Sequence, residues 1–178
     1  MTSSKYQTPE DIYLFFKTQN AFERLIKHHQ LVAETAKEIL AGIQNIFPNL
    51  DCNYSEVLVG SAIHDAGKII FEREINNSGK QHELAGEQYL IDLGIPSHIA
   101  RFSRTHARWQ DPDCTIEDLL VALADTLWKG SRNNRLENFI VKSIADSLQI
   151  DFWDIFIKLD SLFEQISDRG NERLSRSV

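Results

Sequence analysis

Apolar residues recur at intervals of three and four along most of the chain, as in SEVLVGSAIHDAGKIIFEREI (55–75) and ENFIVKSIADSLQIDFWDIFIKLDSLFEQI (137–166). No segment sustains an alternation of two. A period of about 3.6 lays one face of a helix on a core, whereas a half-buried strand needs a period of two. The pattern predicts helices over about 8–18, 21–45, 54–68, 81–93, 96–109, 115–130, 134–147 and 151–168. Between them FPNLDCNYS, NNSGKQ, LGIPSH and KGSRNN gather the proline, glycine and short polar residues that favour turns. Pro9 and Pro96 suit first helical turns, where a missing N–H costs nothing. The expectation is an all-α fold, a single-domain helical bundle over 1–170, ending in a frayed polar tail over 171–178.

Composition agrees with one sizeable core: 178 residues, 42% hydrophobic and 25% charged. A net charge of −7 speaks against a chain that coats nucleic acid or an anionic membrane. The opening MTSSKYQTPEDIYLFF has no basic segment leading into an apolar one, and no apolar run approaches the roughly 20 residues that span a bilayer. A soluble, cytoplasmic protein with no membrane partner is expected. Cys52 and Cys114 lack a CxxC spacing and are read as free thiols without chemistry.

The polar residues that interrupt apolar faces change this picture. In the second helix Leu25, His28, Val32, Ile39 and Ile43 form an inward stripe that contains a histidine. Its neighbour His29 is about 100° around the helix and can also face inward, so periodicity alone does not choose between them. SAIHDAGKII places His64, Asp65 and Lys68 in a stretch of apolar and small residues, and Asp125 interrupts LLVALADTLWKG. Unpaired buried charge costs several kcal/mol, so such residues need partners, a metal ion or a wet cleft. Taken alone, each histidine is explicable as packing. Histidines on four helices, together with Asp65 and Asp125, are the ligand types of zinc, iron, manganese and magnesium, which bundles bind by side chains pointing inward.

Nearby cations suit an anionic ligand. Lys129 and Arg132 follow Asp125 at four and seven positions, over the same face if the helix persists, where a phosphate can be held. Trp109, three residues after His106, is placed to line a pocket or stack on a base. Arg101, Arg104 and Arg108 fall on the opposite side of that helix from His106 and read as a solvated face. His98 reads as an exposed first-turn residue, and Trp128 and Trp153 as core.

In order along the chain, HHQLVAETA, HDAGK and LADTLWKG resemble the signature of the HD superfamily of metal-dependent phosphohydrolases. The resemblance spans about 100 residues and implies that His28, His64, Asp65 and Asp125 hold one divalent metal ion. In binuclear branches two intervening histidines hold a second ion and the doublet aspartate bridges; His82 in HELAG and His106 in SRTHARW fall at those positions. The other reading of His82 and His106 is a one-metal pocket in which they touch substrate. The ions implied are one or two of Fe, Mn, Zn, Mg or Co. The activity implied is hydrolysis of a small phosphorylated substrate, a nucleotide or dinucleotide, with Asp65 orienting the attacking water and Lys68 binding phosphate or assisting the leaving group. For Lys68 a solvated helix-end lysine fits equally. THARWQDPDC lacks the His-His-Glu and Gly-Tyr-Pro segments of cyclic-di-GMP phosphodiesterases, and AGKII lacks the acidic pair of guanosine-polyphosphate hydrolases. Two alternatives stay open: a di-iron oxygenase with the same ligand pattern, and a metal-stabilised module that senses a nucleotide without cleaving it.

Overall fold

The computed structural model describes residues 6–75, 77 and 79–177. The first five residues of the expected domain, Asn76 and Ser78, and Val178 of the expected tail lie outside the described residues. Among the described residues all regular structure is helical: α1 (Pro9–Thr18), α2 (Glu23–Ile46), α3 (Tyr54–Ile63), α4 (Gln81–Asp92), α5 (Ser97–Ala100), α6 (Phe102–Thr105), α7 (Ile116–Leu127), α8 (Asn134–Leu148), α9 (Phe152–Ser167) and α10 (Gly170–Ser175). Two 3-10 turns, Ala66–Ile69 and Glu72–Ile75, link α3 to α4. Thr8, Asn53, Asn133 and Asp151 accept N–H groups at the starts of α1, α3, α8 and α9, caps worth about 1 kcal/mol each. No helix is long and apolar enough to cross a membrane, among the described residues.

Helices α2, α3 and α7 pack on one another at the centre. Val32, Ala36, Ile39 and Ile43 of α2, Ala62 and Ile63 of α3, and Leu120, Leu123 and Leu127 of α7 are buried there. On the far side α8 and α9 cover α7 and α2 through Ile140, Ile144, Ile155 and Leu159.

Three segments depart from the periodic pattern. The helix expected to reach residue 68 stops at Ile63 and tightens into the 66–69 turn. A Cβ on Gly67 would strike the His82 carbonyl and come within 2.9 Å of the Gly86 Cα, so glycine lets the turn lie against the backbone of α4. That contact brings His82 beside Asp65. The helix expected over 96–109 is two short helices that end by His106.

The segment read as a frayed tail is helical over 170–175, with Arg173 fully buried. Its polarity has a target. Arg173 pairs with Glu38 at 2.7 Å and donates to the Ile166 carbonyl at 2.8 Å, while Arg176 forks onto Glu34 at 2.7 and 3.0 Å. Glu34 and Glu38 lie one turn apart on α2, so the polar terminal segment complements the side of α2 that a core reading ignores.

Candidate metal centre

Five elements converge at one point. Helix α2 brings His28, the end of α3 brings His64 and Asp65, and the first turn of α4 brings His82. His106 comes from the end of α6 and Asp125 from the last turn of α7. The two oxygens of Asp65 divide these residues. Its Oδ2 is 3.3 Å from His28 Nε2 and 3.8 Å from His64 Nε2, while its Oδ1 is 3.1 Å from His82 Nε2 and 3.5 Å from His106 Nε2. Asp125 Oδ1 joins the first group, 3.4 Å from both His28 Nε2 and His64 Nε2. His28, His64 and Asp65 thus form one cluster of metal-ligand geometry, and Asp65, His82 and His106 a second.

Hydrogen bonds behind three of the rings fix what they present in front. His64 Nδ1 lies 3.0 Å from the Ser61 carbonyl and His106 Nδ1 lies 3.0 Å from the Phe102 carbonyl. His82 Nδ1 lies 2.6 Å from the Glu74 carboxylate. A carbonyl or carboxylate only accepts, so each Nδ1 carries a proton and each Nε2 faces the aspartates, where it donates to a carboxylate when the ring is charged and offers a lone pair to a metal ion when the ring is neutral. His28 Nε2 and His64 Nε2 stand 3.2 Å apart. Ring nitrogens and carboxylate oxygens gathered at such distances need positive charge among them, supplied by protons on the rings or by a metal ion. Imidazole nitrogens with carboxylate oxygens are the donor set of Zn, Fe and Mn, and they fit a divalent ion in either cluster.

The protein's own charges answer that requirement in part. Lys68 donates to Asp65 Oδ2 at 2.5 Å. Burial alone would raise the Asp65 carboxyl, but His64, His28, His82 and Lys68 overcome it and hold it well below the usual carboxylate range. Burial opposes charging of Asp125 likewise, and hydrogen bonding and charge from His64 reverse the shift. Burial disfavours a charged His64, yet Asp65 and Asp125 outweigh it and raise its pKa. His106, buried and facing His64, is pushed down to about 4 and stays a neutral donor.

The two adjacent histidines of α2 have separate duties. His28 faces the cluster, whereas the fully buried His29 turns its Nε2 to the Asp65 backbone N–H, which donates to it at 3.2 Å. Burial and the neighbouring His64 and His28 hold the His29 pKa well below its ordinary value. A neutral His29 keeps the acceptor that pins the Asp65 main chain.

The cluster opens into a cavity of about 420 Å³ lined by His28, Asp65, His82, His106 and Asp125. Lys68, Lys129 and Arg24 add cations to its wall, and Trp128 adds an apolar face with its ring 5.0 Å from that of His28. Trp128, read from spacing as core, packs against the core and is also a wall of the cavity. Glu83 and Ser177 line it as well, and nothing in their sequence setting marks them.

Two expected site residues are not brought in. Helix α7 ends at Leu127 and Gly130 adopts φ +78°, so the face that holds Asp125 does not extend to Arg132. Arg132 instead binds Glu137 with two nitrogens, at 2.8 and 2.7 Å, and Asp160 at 2.7 Å. Trp109 lies past the end of α6, where helical spacing no longer applies, and packs edge-on against Phe139 at 5.6 Å. The arginines of the outer face are not simply solvated. Arg101 pairs with Asp118 and Glu56, Arg104 with Glu87, Asp111 and Asp113, and Arg108 with Glu83. Trp153, expected in the core, is 64% exposed on α9. His98 is exposed and both cysteines are free, as anticipated.

The family model described as HD domain matches residues 25–128, more than half of the chain, and that span contains all six converging residues. Comparison with the curated proteins and with the solved structures found no match.

Proposed function

Since this chain belongs to the HD domain family, we propose that it is a metal-dependent phosphohydrolase that cleaves a small phosphate ester, a nucleotide or dinucleotide. One observation carries the reading: the two oxygens of Asp65 face two separate histidine groups at the base of a cation-lined cavity. His28, His64, Asp65 and Asp125 would hold one divalent ion, and Asp65, His82 and His106 a second. When bound, such ions lower the pKa of coordinated water and offset the charge of phosphoryl oxygens.

The chain's own residues supply the rest. Lys68 and Lys129 receive the anionic phosphate from two sides of the cavity. Lys68 also fixes the rotamer of Asp65 through its hydrogen bond to Oδ2. Trp128 offers an apolar surface to the group esterified to the phosphate, and a cavity of about 420 Å³ limits that group to small-molecule size. The test is phosphate release from a panel of nucleotides and simple esters by protein loaded with each of Mn, Fe, Zn, Mg and Co. Release that depends on metal and vanishes in His64→Ala and Asp65→Ala supports the proposal. Stoichiometric metal with no hydrolysis of any ester contradicts it, and oxygen consumption by the iron-loaded protein would move it to the oxygenase class.

A further inference from the structure

The two histidine groups are supported differently. His64 and His106 rest their Nδ1 atoms on main-chain carbonyls of their own helices, Ser61 and Phe102. His82 rests on a side chain from another element: Glu74, in the 72–75 turn, accepts its Nδ1–H at 2.6 Å. The same carboxylate accepts the N–H groups of Gln81 and His82 at 3.2 Å each, where α4 has no capping side chain of its own. Three bonds therefore aim one ring. They place its Nε2 3.1 Å from Asp65 Oδ1.

From this geometry we infer that Glu74 is a positioning residue for the second ion: it selects the Nδ1–H tautomer of His82 and directs Nε2 to the Asp65 side of the cluster. A carboxylate behind a ligating histidine fixes tautomer and orientation and raises ligand basicity, and losing it typically lowers metal affinity about 10–100-fold. The hydrogen bonds of Glu74 go to Gln81 and His82, away from the first group, so the effect is selective. The inference rests on the binuclear reading of the proposed function.

The test is titration of metal-free protein with Mn²⁺, followed by calorimetry and elemental analysis after dialysis, on the wild type, Glu74→Gln, Glu74→Ala and His82→Ala. Glu72→Gln, on the same turn and exposed, is the control. The expected result is two ions in the wild type and the control. In both Glu74 variants one ion should weaken about 10–100-fold and the other should hold its affinity. His82→Ala should weaken the same ion, and Glu74→Ala on top of it should add little. Nitrogen-15 histidine spectra should show the Nδ1–H form of His82 giving way to a tautomer mixture in Glu74→Ala. A residue that only caps α4 would lower the melting temperature and leave both affinities and the tautomer unchanged, which overturns the inference. Equal weakening of both ions, or a wild type that holds one, overturns it too. A wild type that holds no ion sinks the metal reading as well, which separates the two failures.

Discussion

Two buried polar clusters in this fold, one around Asp118 and one around Asp65, are built differently. Around Asp118 every acceptor meets a donor. Arg101 Nε donates to Asp118 at 3.1 Å, Thr105 Oγ1 at 2.6 Å and the Thr115 N–H at 2.9 Å, while Arg101 also reaches Glu56 and the His98 carbonyl. Around Asp65 imidazole Nε2 atoms crowd one another and two carboxylates, with Lys68 donating to one oxygen. The first cluster is complete within the chain and ties the helix of His106 to the helix of Asp125. The second gathers ligand atoms that could hold metal ions, in two clusters on the wall of a cavity. The kind of group facing each aspartate, more than burial or the number of ionisable groups, separates the two.

The contrast can be broken most forcefully at its two hubs. Asp65→Asn should abolish binding at both ion positions and reduce any metal-dependent phosphatase activity to background, while the metal-free chain still folds. Retention of either ion at wild-type affinity, measured by elemental analysis after dialysis, would show that Asp65 is not the shared ligand. Asp118→Ala should do the converse. It takes one of the acceptors from Arg101 and leaves Thr105 Oγ1 and the Thr115 N–H without theirs, and should cost about 1–3 kcal/mol in urea denaturation, with metal stoichiometry unchanged in the folded protein.

Smaller effects sharpen the same line. Arg132→Ala strands the buried Glu137 carboxylate and should lower stability by about 1–3 kcal/mol, yet leave metal affinity and activity at wild-type values. A specific loss of activity would return Arg132 to the cavity. The smallest effect is at the C-terminal clasp. Hydrogen bonding from Arg176 holds Glu34 below its ordinary carboxyl value. A depressed folded pKa contributes stability that is present above the ordinary value of 4.5 and lost as pH falls through the lower folded one. Both partners are more than a third exposed, so the pair is worth at most about 1 kcal/mol. Glu34→Gln should remove that acid-side slope from the stability profile, and an unchanged slope would assign it elsewhere.

How far the sequence could be read follows from the same physics. The helical period revealed an all-α bundle because burial of a stripe is a local property of spacing. The order of His28, His64, Asp65 and Asp125 was legible because polar residues interrupt apolar faces conspicuously. The choice of His28 over His29 was not, since it depends on which ring meets the Asp65 main chain. Arg132 and Trp109 were misplaced because spacing arguments fail where a helix ends, at Gly130 and just after His106. Glu74 and Trp128 escaped because their partners are remote in sequence or lie across a helix face, and Arg173 because its acceptors are on α2.

On the proposed function, divalent cation completes the Asp65 cluster. Thermal unfolding of metal-free protein with increasing Mn²⁺ or Zn²⁺ tests it most directly, with the ion content of the dialysed protein measured in parallel. Up to two ions should bind per chain and the midpoint should rise with metal, by the equivalent of about 2.7 kcal/mol at a hundredfold excess over Kd, with no rise in Asp65→Asn. A wild-type midpoint that ignores both metals, in protein that retains no ion, would contradict it.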